Sequence, residues 1–283
     1  MPRHPVHFGL KVFQQDVSID DLRAVWRIAD DAGFDHIWDY DHLAAVGKDK
    51  LDRPVFEGWA LQAAMAEATS RVRIGCMVTG NTYRHPALLA KLAVTVDHLS
   101  SGRLEFGIGT AWSVDEHRMF GIDGLDHRVG RLAESLQILK SLWTEDRTTF
   151  AGRYYQFEDA VASPKPVQEP HPPIWIGAGG DQTMRLVARF ADVWNISDDF
   201  RDRSAELSSD LEAICQEIGR DYSLIRHSAQ NKWDGKDRAM LLDRAARDLE
   251  DGFTEHIIVL PPTDAVRAAA SAAEALADLR KIG

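Results

Sequence analysis

The sequence predicts a (β/α)₈ TIM barrel with an inserted region between its fourth helix and fifth strand. Short apolar runs alternate with amphipathic helical periods along the 283 residues, and the strand–helix units number eight. The strand runs are apolar throughout, as expected for strands covered on both faces. A doubly wound sheet of this length commonly uses fewer units. Length alone leaves one domain or two, since α/β barrels reach this size as one unit.

"VHFGLKV" (6–12) is the first strand. The helix after it has Ser18 as N-cap, Asp21 three residues on and Gly33 as its stop, with Leu22, Val25, Trp26 and Ala29 on one face. "HIWDY" is the second strand, "EGWALQAAMAEATS" the second helix and "VRIGCMV" the third strand. The third helix, "HPALLAKLAVTVDHLSSG", carries Pro86 in its first turn, Leu88, Leu92, Val96 and Leu99 on one face, and Gly102 past its end. "RLEFGIG" is strand four, "RVGRLAESLQILKSLW" helix four, "PIWIGAG" strand five and "QTMRLVARF" helix five. Then follow "ADVWNIS", a helix near 203–218, "SLIRHSAQ", a helix near 237–250, "EHIIVL" and a helix near 264–280. The segment 144–173 breaks the rhythm with five prolines and no sustained period. It reads either as a lid whose Phe150, Tyr154, Tyr155 and Phe157 cover a planar ligand, or as a surface loop anchored by those aromatics.

Composition narrows the function classes. The formal net charge is −11 and no basic run exceeds two residues, so nucleic acid is not an expected partner. No apolar run approaches the roughly 20 residues that span a bilayer, and the N-terminus lacks a signal-type apolar stretch, so no membrane association and a cytoplasmic location are expected. Cys76 and Cys215, the only cysteines, form no CxxC pair, and the eleven histidines show no metal-ligand spacing. No metal site is expected.

Barrel enzymes gather their chemistry at the C-terminal ends of the strands. There the sequence places "DYDH", "TGNTYRH", "GTAWSVDEH", "GAGGDQT", "NISDD" and "NKWDG". His42 is a candidate proton carrier with Asp41 or Asp39 to orient it; the alternative is a histidine that caps a strand end. "GAGGDQT" offers backbone amides to a phosphate, although such turns before helices also occur without any ligand. Trp112 can stack on a ligand or pack, and Glu116 and His117 read as a solvated helix start.

Two long stretches, "VTGNTYRHPALLAKLAVTVDHLSSGRLEFGIGTAWSVDEHRMFG" and "SPKPVQEPHPPIWIGAGGDQTMRLVARFADVWN", follow "GFDHIWDYDH" in order. Together they resemble the bacterial-luciferase-like flavin and deazaflavin oxidoreductases, and more narrowly their F420-dependent branch, over roughly residues 6–200. The resemblance implies a barrel whose inserted loop covers a deazaflavin lying across the strand ends. It implies that Asp41 and His42 are the family's strand-two pair, with His42 handling the proton and Asp41 orienting it or touching the cofactor. It also implies a strand-three bulge from Cys76 to Gly80, with a non-proline cis peptide and with Thr79 and Gly80 at the cofactor. Thr110, Ala111 and Trp112 match lining positions after strand four, and Gly177, Gly179, Gly180, Gln182 and Thr183 match the phosphate turn.

Two departures bear on the substrate. F420-dependent sugar-phosphate dehydrogenases of that superfamily carry a glutamate after strand four where this chain has Trp112, and a tryptophan after the strand-two histidine where this chain has "LAAV". Their substrate is therefore not carried over, and Glu116, one turn on, is the nearest stand-in. The implied activity is F420-dependent hydride transfer to or from a small organic molecule. The alternatives are an FMN-dependent monooxygenase using O₂ and a non-catalytic F420- or flavin-binding protein. A homodimer is expected by the same resemblance, with Trp59, Leu61 and Met65 either at its contact or packed on the barrel.

Overall fold

The computed structural model describes residues 4–47 and 51–283. Each of the eight strand runs of the sequence becomes a parallel barrel strand: β1 (His7–Lys11), β2 (His36–Asp39), β3 (Arg73–Cys76) continued by β4 (Thr79–Gly80), β5 (Leu104–Gly109), β8 (Ile174–Gly177), β9 (Val193–Ile196), β10 (Arg226–Lys232) and β11 (Glu255–Val259). Closure runs through β11 against β1, with Phe8 opposite His256, and through β3 against β5, with Ile74 opposite Leu104. Helices α1 (Ile19–Ala32), α2 (Gly58–Ala68), α3 (Pro86–Leu99), α5 (Arg128–Thr144), α6 (Asp181–Phe190), α7 (Ser204–Ile218), α8 (Arg238–Glu250) and α9 (Ala265–Leu279) follow the strands in turn.

Period-two alternation divides the strand side chains between two cores. Phe8, Leu10, Ile37, Ile74, Phe106 and Ile108 join the large core under the helices, whereas Trp38, Met77, Trp175, Val193 and Ile257 form a separate cluster inside the barrel. The two indoles meet edge to face at 4.6 Å. Glycine at position 75 makes room for them, since a Cβ there would fall 2.3 Å from the Trp38 ring. Below them Glu255 accepts from His7, His36 and Arg226, so the bottom of the barrel is plugged by a neutralised polar layer.

Helix α1 forms as its caps predict: Ser18 accepts from the Asp21 amide, and Gly33 ends the helix at φ +83°. In α3 the face differs from expectation. Leu88 is 54% exposed and Leu99 is also exposed, while Leu89, Ala90, Ala93, Val96 and Asp97 are buried. The leucine stripe misleads because the true inner face is Leu89, Ala90, Ala93, Val94 and Val96 plus a buried carboxylate. Asp97 accepts from the Val167 and Gln168 amides and from the Gln168 side chain, which straps the loop across α3. Trp59, Leu61 and Met65 of α2 are buried in the large core, so they pack on the barrel and offer no dimer contact.

Segment 144–173 holds a bulged antiparallel hairpin, β6 (Thr148–Ala151) and β7 (Gln156–Ala160), that the lack of helical period concealed. Its aromatics pack away from the strand ends. Phe150, Tyr154 and Phe157 lie against the main core, Tyr155 is buried in it, and Glu134 of α5 accepts from the amides of Arg153, Tyr154 and Tyr155. The anchored-loop alternative is therefore the observed one. A further short helix, α4 (Val114–Phe120), follows β5.

Candidate active site

A cavity of about 720 Å³ opens at the C-terminal ends of the strands, within the range of small-molecule sites. Every barrel strand except β11, or the loop after it, contributes to its wall. All twelve residues that the resemblance assigns to the site line it. Asp41 and His42 come from the end of β2, Thr79 and Gly80 from the bulge, Thr110, Ala111 and Trp112 from the turn after β5, and Gly177, Gly179, Gly180, Gln182 and Thr183 from the turn after β8. No residue of the hairpin β6–β7 lines it; α5 supplies Arg128 and Val129 instead.

The bulge has the expected backbone. The Met77–Val78 peptide is cis, and beyond it the chain resumes pairing as β4, with Thr79 opposite Ile108. Val78 is thereby set against β5 and β8, where glycines receive it: a Cβ at Gly109 would fall 2.8 Å from Val78 Cγ2. Ala111 turns the wall sharply at φ +63°, unusual for a residue with a Cβ, and Trp112 beyond it is 61% exposed at the rim.

His42 has a partner other than the one the sequence suggested. Its Nδ1 lies 2.7 Å from Glu116 Oε2, and the Glu116 carboxylate also accepts from the Leu43 amide, the Ala44 amide and the Tyr83 hydroxyl at 2.6, 3.0 and 2.9 Å. Glu116 is 1% exposed, so the solvated reading of this residue is wrong. Ser113 caps α4 and turns Glu116 inward, and His117 beside it is held by Thr82 and the Ser113 carbonyl. Burial pushes the Glu116 pKa up, but the hydrogen bonds from His42, Ala44 and Tyr83 outweigh it and hold the group at about 2. An ionised acceptor at Nδ1 fixes the tautomer with Nδ1–H, leaving Nε2 as the group free to take a proton at the cavity.

Asp41 belongs to a separate cluster. It accepts from both Arg84 Nη atoms, at 2.6 and 3.0 Å, and from the Gly80 amide at 3.0 Å; Arg84 also meets Glu57. Burial works against the guanidinium charge, yet Asp41 and Glu57 more than offset it and keep Arg84 protonated. Asp41 thus fixes the bulge and does not orient His42. Asp39, the other candidate, is buried beneath and bonded to Gln62 of α2.

At the far side, Gly179 and Gly180 lead into α6, whose first amides lack intrahelical partners. Thr183 closes the helix cap by donating to the Gly180 carbonyl at 2.6 Å. A side chain at Gly179 would strike the Phe200 ring at 2.6 Å, so the backbone is bare where a ligand would approach. Lys11, Phe13, Tyr40, Tyr83, Asn195 and Gln230 also line the cavity and were not singled out from the sequence. Alternation along β1, which puts Lys11 on the interior face opposite Leu10, was the signal available for two of them.

Comparison with known proteins places the fold and site in context. The chain matches the family described as "Luciferase-like monooxygenase" over residues 4–282. An uncharacterised protein of Mycobacterium tuberculosis (strain ATCC 25618 / H37Rv) is 31% identical, covering 94% of this chain and 95% of that one. The F420-dependent glucose-6-phosphate dehydrogenase of Amycolatopsis mediterranei is 34% identical over 189 residues, 65% of this chain and 55% of that protein. The FMNH(2)-dependent dimethylsulfone monooxygenase of Pseudomonas putida is 30% identical over 178 residues, 62% and 48% of the two chains. In fold, the chain superposes with a TM-score of 0.87 on an F420-dependent secondary alcohol dehydrogenase in complex with an F420-acetone adduct, at 16% identity and covering 98% and 99% of the two chains.

Proposed function

The chain belongs to the luciferase-like monooxygenase family, and from that premise we propose that it is an F420-dependent oxidoreductase moving a hydride between the deazaflavin C5 and a small organic substrate. The observation that carries this reading is the His42–Glu116 pair at the wall of the cavity. Hydride transfer to or from a C–O centre requires a proton to move on the oxygen. A histidine whose tautomer is fixed by an ionised carboxylate supplies that site at Nε2.

The residues fit a ring with a phosphate-bearing tail. Val78 and the glycine positions 109 and 177 give a flat wall, and the bare backbone at Gly179 and Gly180 with the start of α6 suits an anion. The bound cofactor supplies the hydride acceptor or donor. His42 takes the proton from a substrate hydroxyl, or returns it to a carbonyl, while Glu116 holds Nδ1–H and stabilises the imidazolium. Trp112 and Phe200 give the rim an apolar surface that holds the substrate and excludes water. Asp41 and Arg84 keep the bulge in place.

A second reading, an FMN-dependent monooxygenase, is supported by the dimethylsulfone-oxidising relative. The two differ in cofactor, and F420 lacks the oxygen chemistry of a flavin because carbon replaces N5. Titration with F420 and with FMN, followed by quenching of the eight tryptophans, separates them. Micromolar F420 binding supports the proposal; FMN binding with none for F420 replaces it by the second reading.

A further inference from the structure

Lys11 ends β1 at the cavity, where its ammonium meets one side-chain oxygen and, 5.7 Å from the ring centroid, the face of Phe13. Lys11 is 8% exposed, its Nζ donates to Gln230 Oε1 at 2.9 Å, and among the described residues it enters no ion pair. The Gln230 oxygen is aimed by a relay: Gln230 donates to Asn195 at 2.8 Å, which donates to Ser228 at 2.9 Å. That leaves two of the three ammonium donors without a protein acceptor. A buried cation with one neutral hydrogen-bond partner and one aromatic face remains costly unless a ligand completes it.

Its place in the barrel says which part of a ligand. From β1 to β8 is four strands in either direction, through β2, β3 and β5 or through β11, β10 and β9. Lys11 therefore stands diametrically opposite the glycine turn after β8. A ligand anchored there by an anionic tail and lying across the strand ends brings its far edge to β1.

Resting on the oxidoreductase reading above, we propose that Lys11 is the cation that binds the electron-rich carbonyl edge of the redox ring, the pyrimidinedione that deazaflavins and flavins share. The assignment holds for either cofactor. The groups facing Lys11 set how it responds to pH. Burial lowers its pKa to about 8, opposed by Cys76 of β3 and Asp39 of β2 and reinforced by Lys232 of β10. A ligand that holds the ammonium raises that pKa, so binding takes up a proton above about pH 8, and affinity declines as pH rises further.

The test is calorimetric titration of wild type, Lys11→Met and Lys11→Arg with F420 and, separately, FMN, without substrate, between pH 7 and 9.5. Loss of a charge-assisted hydrogen bond weakens the binding cofactor about ten-fold or more in Lys11→Met, and the arginine variant recovers most of it. At pH 8.5, titrations in two buffers of different ionisation enthalpy read proton uptake in wild type and none in Lys11→Met. Thermal unfolding of Lys11→Met, expected at or above the wild-type midpoint because an unpaired buried charge is removed, shows that the fold is intact. A Lys11→Met protein that binds within two-fold of wild type, with the same proton uptake, overturns the assignment to the cofactor. Failure of wild type to bind either cofactor overturns the oxidoreductase reading instead.

Discussion

The proton-handling corner turns on two residues that lie 74 apart in the chain and meet at 2.7 Å. His42→Ala keeps cofactor affinity within a few-fold, because the dyad sits at one wall, and lowers turnover by about 10²–10⁴-fold, the range for loss of a positioned acid–base group. Unchanged turnover would remove His42 from the mechanism. Glu116→Gln keeps the shape but turns an amide donor toward donors. It costs about 1–3 kcal/mol in urea unfolding, because His42, Tyr83 and two backbone amides lose their ionised acceptor. It also lowers kcat more than it raises KM, since the imidazolium loses its counter-charge only while the proton is in transit. Arg84→Met tests the neighbouring cluster: buried Asp41 is left without its cation, and destabilisation of about 3–5 kcal/mol follows with the dyad untouched.

The elements show which parts of the site can be read before folding. A residue at a strand terminus is legible, because eight alternating units already say where strands end; the family resemblance picked twelve among those junctions, and all twelve line the cavity. The His42–Glu116 pairing was not, since Ser113 three residues before Glu116 marks a helix start but nothing local shows that the helix turns the carboxylate inward. The lining role of Lys11 was hidden inside a run that reads as apolar. The segment 144–173 stayed open between two readings for a different reason: aromatics announce burial, but not which surface buries them. Phe157 stacks on His85 at 5.6 Å, Tyr154 lies over Arg131, and α5 presents Arg128 and Val129 to the cavity from its own first turn. Phe157→Ala should therefore lower the unfolding midpoint by about 1–3 kcal/mol of stability and leave cofactor affinity within two-fold. A ten-fold affinity loss would restore the lid reading. Gly109→Ala should do the reverse, weakening cofactor binding, because its Cβ would press on Val78 at 2.8 Å and push the bulge into the cavity.

At the scale of the whole molecule, buried ionisable groups act on acid stability in two stages. His227, ringed by Trp194, Tyr222 and Phe253, and His256, stacked on Phe8, are both lowered from 6.5 to about 4, first by burial. The unfolded chain protonates them below about 6.5 and the folded one only near 4. Each therefore removes stability as pH falls through that window, on the order of 2–3 kcal/mol. Glu116, held at about 2, and Glu255, held far below its usual 4.5 by His36, His7 and Arg226 against burial, act lower down. Their stabilisation is complete above about 4.5 and is lost as pH falls toward 2. His7 has the opposite sign: its raised pKa, due first to the Glu255 hydrogen bond, adds stability below about 6.5 that fades as pH rises. Asp39 and Asp41, whose pKa values burial raises, also add stability as pH falls, so the histidine contribution is read from the difference between variant and wild-type urea midpoints. His227→Phe, which keeps the aromatic packing, should lose less stability than wild type between pH 6.5 and 4 and the same amount below 4. An unaltered slope between pH 6.5 and 4 would show that His227 is not held neutral by its surroundings.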